Sequence, residues 1–121
     1  MELNKKEADT QAQFMRDKAR DLVEKSVEAS PPELADINRD LNAIKSYFTE
    51  KLLNIVVFKN NKMEELRLEL GKANAAKIKW ASLDEGRNEV ILRGIIGIIK
   101  DTISTNKDKL RIYKDDQFGN W

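Results

Sequence analysis

The chain has 121 residues, 36% of them charged, yet 22 basic and 21 acidic side chains leave a net charge of only +1. That balance argues against a partner held by bulk attraction alone, whether nucleic acid or membrane surface, and the length allows one domain or one element of an assembly. With no histidine and no cysteine, the chain lacks the commonest general base, the commonest metal ligand, and all thiolate and disulfide chemistry.

Five glycines and two adjacent prolines, Pro31 and Pro32, leave long stretches without a strong breaker. Such a composition favours long helices over a sheet with many turns. The opening Met1-Glu-Leu-Asn-Lys-Lys has no apolar signal-peptide core. The most apolar run, Val90 to Ile99, is too short to span a bilayer and contains Arg93. The expectation is a chain without a membrane role, in the cytoplasm or in a virion.

The first helix is expected over about 5–28, with Asn4 as cap and Glu7 three residues later as in a capping box. Ala8, Ala12, Met15, Ala19 and Leu22 form a seam of small apolar residues at heptad spacing. Ser30-Pro31-Pro32-Glu33 is the clearest punctuation in the chain. Serine suits the N-cap, proline the first helical position, and glutamate completes a capping box. From here a long helix is expected over about 31–81. Its seam reads Leu34, Ile37, Leu41, Ile44, Phe48, Ile55 and Phe58, then resumes as Met63, Leu66, Leu70, Ala73 and Trp80. The step from Phe58 to Met63 breaks the heptad frame, which a stutter or a short break explains, and two helices joined by a loop at Asn60-Asn61 are the alternative to one long helix.

Ser82-Leu-Asp-Glu85 reads as a further capping box and places a third helix over about 83–111, with Gly86 weakening its first turn. Within it, Val90 to Ile99 is apolar on nearly all sides, which is the pattern of a buried helix. A strand is the lesser alternative, disfavoured by Gly94 and Gly97 and by the lack of a second strand to pair with. Residues 112–121 have the composition of a loop and carry Phe118 and Trp121. The expected fold is all-α: an elongated hairpin or bundle of about three helices in a single domain, one of them long and with a coiled-coil-like seam.

No nucleophile–base pair, glycine-rich phosphate loop or metal-ligand pattern can be drawn, so neither an enzyme nor a cofactor is expected. Carboxylate pairs at helical spacing, such as Asp36 with Asp40 and Glu65 with Glu69, lack the histidine that helical-bundle metal sites require and read as solvated faces. The most basic segment holds Lys59, Lys62, Arg67, Lys72, Lys77 and Lys79 beside Trp80, a set suited to stacking and holding single-stranded nucleic acid. Interleaved acids favour instead a salt-bridged surface with Trp80 in the core.

The stretch Ile98-Ile-Lys-Asp-Thr-Ile-Ser104, running on to Phe118-Gly119, slightly resembles the C-terminal helix of the UvsY-type phage recombination mediators. Those are small oligomeric helical proteins that load a recombinase on single-stranded DNA. The resemblance covers under a third of the chain, rests on residues common in helices, and assigns no family.

The interaction reading is stronger. The three amphipathic segments carry more apolar surface than a thin hairpin can hide, and the long helix would span about 75 Å. An oligomer or partner interface is therefore expected at Val90, Ile91, Gly94, Ile95, Gly97 and Ile98, with Phe118 and Trp121 as anchors. The function that follows is a non-enzymatic structural or adaptor subunit of a larger assembly, such as a phage or viral particle, made of copies of itself or with other protein subunits. A single-strand-binding accessory protein is the alternative.

Overall fold

The computed structural model describes the backbone of residues 2–119 and the side chains of residues 9–114. Four helices follow one another, α1 (Glu2–Lys25), α2 (Pro31–Leu70), α3 (Ala73–Ser82) and α4 (Asp84–Gly119), and no strand occurs among the described residues. The all-helical expectation holds. The number of helices and several boundaries differ from it, each for a local reason.

α1 starts ahead of the expected Asn4 cap and stops at Lys25, three residues early. Ser26 turns its hydroxyl back to donate to the Leu22 carbonyl at 2.8 Å, and the Val27 amide takes the Glu24 carbonyl, which tightens the last turn. Pro31 then disfavours helical geometry at Ser30, so the chain re-enters a helix only at Pro31. Ser30 donates to the Glu33 carboxylate at 2.7 Å, so the two side chains of the expected capping box bond to each other.

α2 is continuous through Asn60-Asn61, because asparagine costs a helix only a few tenths of a kcal/mol and neither residue forces a turn. It ends instead at Leu70. Gly71 follows with φ +73°, and its amide donates to the Arg67 carbonyl at 2.8 Å. This is the left-handed helix stop that glycine adopts without steric cost. The expected single helix over 31–81 is therefore two, α2 and the ten-residue α3.

Ser82 is the last residue of α3 and not a cap of the next helix, since its hydroxyl donates to the Lys79 carbonyl at 2.7 Å. α4 then runs to Gly119, through most of the expected terminal loop. No glycine or proline interrupts residues 98–118, and Ile112 to Lys114 are ordinary helix formers.

The chain divides into two compact units. In the first, made of residues up to Lys45 and those from Ile98 on, the buried apolar side chains are Ala19 and Leu22 of α1, Leu34, Ile37, Leu41 and Ile44 of α2, and Ile99 and Ile103 of α4. A polar network runs through the same unit. Asn106, with no exposed surface, donates from Nδ2 to both Ser26 Oγ and Asn38 Oδ1 at 3.0 Å. Asn38 donates in turn to the Ile103 carbonyl, and Lys109 to the Ser26 carbonyl. The turn after α1, α2 and α4 thus share one set of hydrogen bonds that ties them to a single axial register, with the Asn106 Oδ1 left buried without a partner among the described residues.

The second unit, Ser46–Gly97, is built on Leu66, Ala76 and Trp80, with Ile55, Met63 and Leu83 packed against them. The apparent frame break of α2 disappears here. The inward line of the helix passes through Lys59, which is half-buried, and not through the exposed Phe58. Ile55, Lys59, Lys62, Met63 and Leu66 keep the ordinary 3.6-residue period, and no stutter is needed.

Candidate functional site

Lys59 holds its inward position because a carboxylate waits for it. Glu89 of α4 is buried, its side chain only 7% exposed, and three side chains donate to it. Lys59 Nζ donates at 3.0 and 3.3 Å, Trp80 Nε1 at 3.0 Å, and Arg93, one turn along α4, at 3.0 and 3.3 Å through Nη2 and Nε. Burial alone pushes the Glu89 carboxyl up. The hydrogen bonds from Trp80, Lys59 and Arg93, with the charge of Lys59, outweigh burial and bring it down to about 2. The same ammonium lies 5.8 Å from the Trp80 ring centre, and the Phe58 ring lies 6.1 Å from it on centroids.

This cluster locks Glu89 as a charged acceptor and leaves it unfit to carry a proton near neutral pH. It welds α2, α3 and α4 within the second unit. It also dissolves part of the basic set considered for nucleic acid. Trp80 is 4% exposed with its N–H committed, so it offers no stacking platform, and Lys59 is spent on Glu89. Lys62 pairs with Glu65, while Arg67, Lys72, Lys77 and Lys79 are exposed.

The other face of α4 is different. Glu89, Leu92 and Ile99 face inward, so the helix period turns Val90, Ile91, Gly94, Gly97 and Ile98 the opposite way. Val90 is 69% exposed, Ile91 45% and Ile98 59%, Gly94 is exposed, and Gly97 and Ile95 are half-buried. A methyl group built on Gly94 or Gly97 would meet nothing within 4 Å. The run read as buried all round is therefore buried on one side only. The candidate residues of α4 stand together on the helix, except Ile95, which sits at the margin of their stripe. Phe118 and Trp121 lie outside the described side chains.

Gly86 is the residue whose importance the sequence did not signal. It is buried, and an added Cβ would overlap the backbone carbonyl oxygen of Trp80. Glycine here lets the start of α4 close against the end of α3. That contact sets Trp80 and Glu89 within reach of each other. Among the described residues, an open depression of about 490 Å³ runs along Asp9, Thr10, Gln13, Phe14 and Asp17 on a single face of α1, and another of about 590 Å³ lies by Glu24, Val27, Glu28 and Glu33. No group of three or more acidic side chains converges as a metal site among the described residues.

Compared with known proteins, the sequence matches no family model, and neither the curated proteins nor the solved structures give a match.

Proposed function

We propose that the protein is a non-enzymatic assembly component, a structural or adaptor subunit that works by laying an exposed helix face against a neighbouring helix. The observation that carries this reading is the outer stripe of α4. Two isoleucines and a valine stand in solvent around two glycines with open space above them. Scattered apolar residues on a surface need no explanation, but a contiguous stripe on one helix is the pattern of a contact surface. Glycines in its centre allow a second backbone to approach closely, and polar side chains in their place would raise helix propensity at no packing cost.

A single substitution separates contact from solvent. In an isolated chain, Gly94→Ala removes the glycine penalty of a helix interior, about 1 kcal/mol, and meets no neighbour. In an assembly the same methyl occupies the contact. The expected outcome is a variant that melts higher than the parent when dilute but associates more weakly, read by sedimentation and by thermal unfolding across concentrations. A single-chain mass for the parent from micromolar to millimolar concentration contradicts an assembly made of its own copies.

A further inference from the structure

The stripe has an internal symmetry that identifies its occupant. Taking Gly94 as origin, Ile91 stands three residues before it and Gly97 three after. Val90 stands four before and Ile98 four after, and Arg87 stands seven before and Asp101 seven after. At about 100° per residue all seven lie on one side of α4. Arg87 and Asp101 are exposed, and neither forms a salt bridge among the described residues. The stripe is thus apolar in its middle, with a cation at one end and an anion at the other, each two helical turns from the centre.

We infer that the partner on this face is a second copy of the same chain, its α4 packed antiparallel across a two-fold axis at Gly94. In an antiparallel pair centred there, residues about equally far before and after Gly94 face one another. Arg87 meets Asp101 of the second copy, and Asp101 meets Arg87 of the second copy. Ile91 meets Ile98, and Val90 lies over the space above Gly97, twice over. Each large side chain then opposes a glycine or another aliphatic, and each charge its opposite. A two-fold contact requires such a self-complementary patch. A parallel pair would instead set Arg87 against Arg87 and Asp101 against Asp101. The inference rests on the assembly reading and adds the partner, the direction and the register.

The chain has no cysteine, so single cysteines report the geometry directly. Disulfides form when Cα atoms approach within roughly 4.4–6.8 Å. Under mild oxidation at millimolar concentration, which offsets the weakening that any side chain at this position brings, the Gly94→Cys variant crosslinks to itself across the axis. The Val90→Cys variant does not, because its two sulfurs lie about 12 Å apart along the helices. Charge reversal tests the register. Arg87→Glu alone and Asp101→Arg alone each place two like-charge pairs in the dimer and weaken association about tenfold. The double variant exchanges the two charges and restores the parent affinity. Circular dichroism of each variant checks that its helices are intact.

Association in which the Val90→Cys variant crosslinks as readily as the Gly94→Cys variant overturns the antiparallel pairing, as does a double variant no better than the singles. Either result leaves the assembly reading standing. A particle of 13.9 kDa at millimolar concentration overturns the second copy as the partner on this face.

Discussion

Glu89 shows how one side chain sets the conditions under which the second unit is stable. Its carboxyl titrates at about 2 in the folded chain, against the 4.5 of a glutamate free in water. Between those values the unfolded state carries more protons, so stability rises with pH through that window. The contribution is fully present above about pH 5 and is lost as pH falls toward 2. The shift corresponds to about 3 kcal/mol, lowered toward about 2 because Lys59 and Arg93 are partly in solvent. Urea unfolding of Glu89→Gln against the parent should therefore show a gap of about 2–3 kcal/mol at pH 7 that has largely closed at pH 2.5. Trp80 fluorescence, read in a Trp121→Phe background, reports the unit concerned. A gap that does not change with pH would mean that the carboxylate charge is not what the three donors stabilise.

At the scale of elements, three glycines have three different physical reasons. Gly71 is needed for its positive φ, with nothing nearby to crowd a side chain, so Gly71→Ala isolates the backbone cost at about 1 kcal/mol. Gly86 is needed for the approach of the Trp80 carbonyl, and Gly86→Ala must push α3 and α4 apart, at about 1–3 kcal/mol. Gly94 has neither reason inside its own chain. Chemical denaturation of the three alanine variants should rank Gly86 as most costly, Gly71 next, and Gly94 as favourable in dilute samples. Only part of this was legible in the sequence. The buried line Leu34, Ile37, Leu41, Ile44 and Phe48 could be read directly, because apolar spacing alone determines it. Gly71 was hidden because strong helix formers flank it and Leu70 and Ala73 mimic a continuing seam. Lys59 broke the apparent frame because a charged residue is not counted as inward unless its distant carboxylate partner is known. Ser82 resembled a cap, yet its hydroxyl found the Lys79 carbonyl first. Asn106 looked like any polar helix residue, although its two partners stand 80 and 68 positions away.

For the molecule as a whole, the expectation of surplus apolar surface and the exposed stripe of α4 have one thermodynamic consequence. A contact made only by the folded chain adds stability that grows with concentration. The midpoint of thermal unfolding should rise as the parent is concentrated, and should rise less for Arg87→Glu, whose fold is otherwise untouched. The glycine stop after α2 has a consequence of another kind. α3 restarts at Ala73 with Lys72 in the cap position and no side-chain acceptor for the first amides of the new helix. Gly71, Lys72, Ala73 and Asn74 are all exposed. Those amides should exchange deuterium early, and among the lysines with described side chains Lys72 should be the first after which a protease nicks the chain, severing the 40-residue helix from everything that follows it.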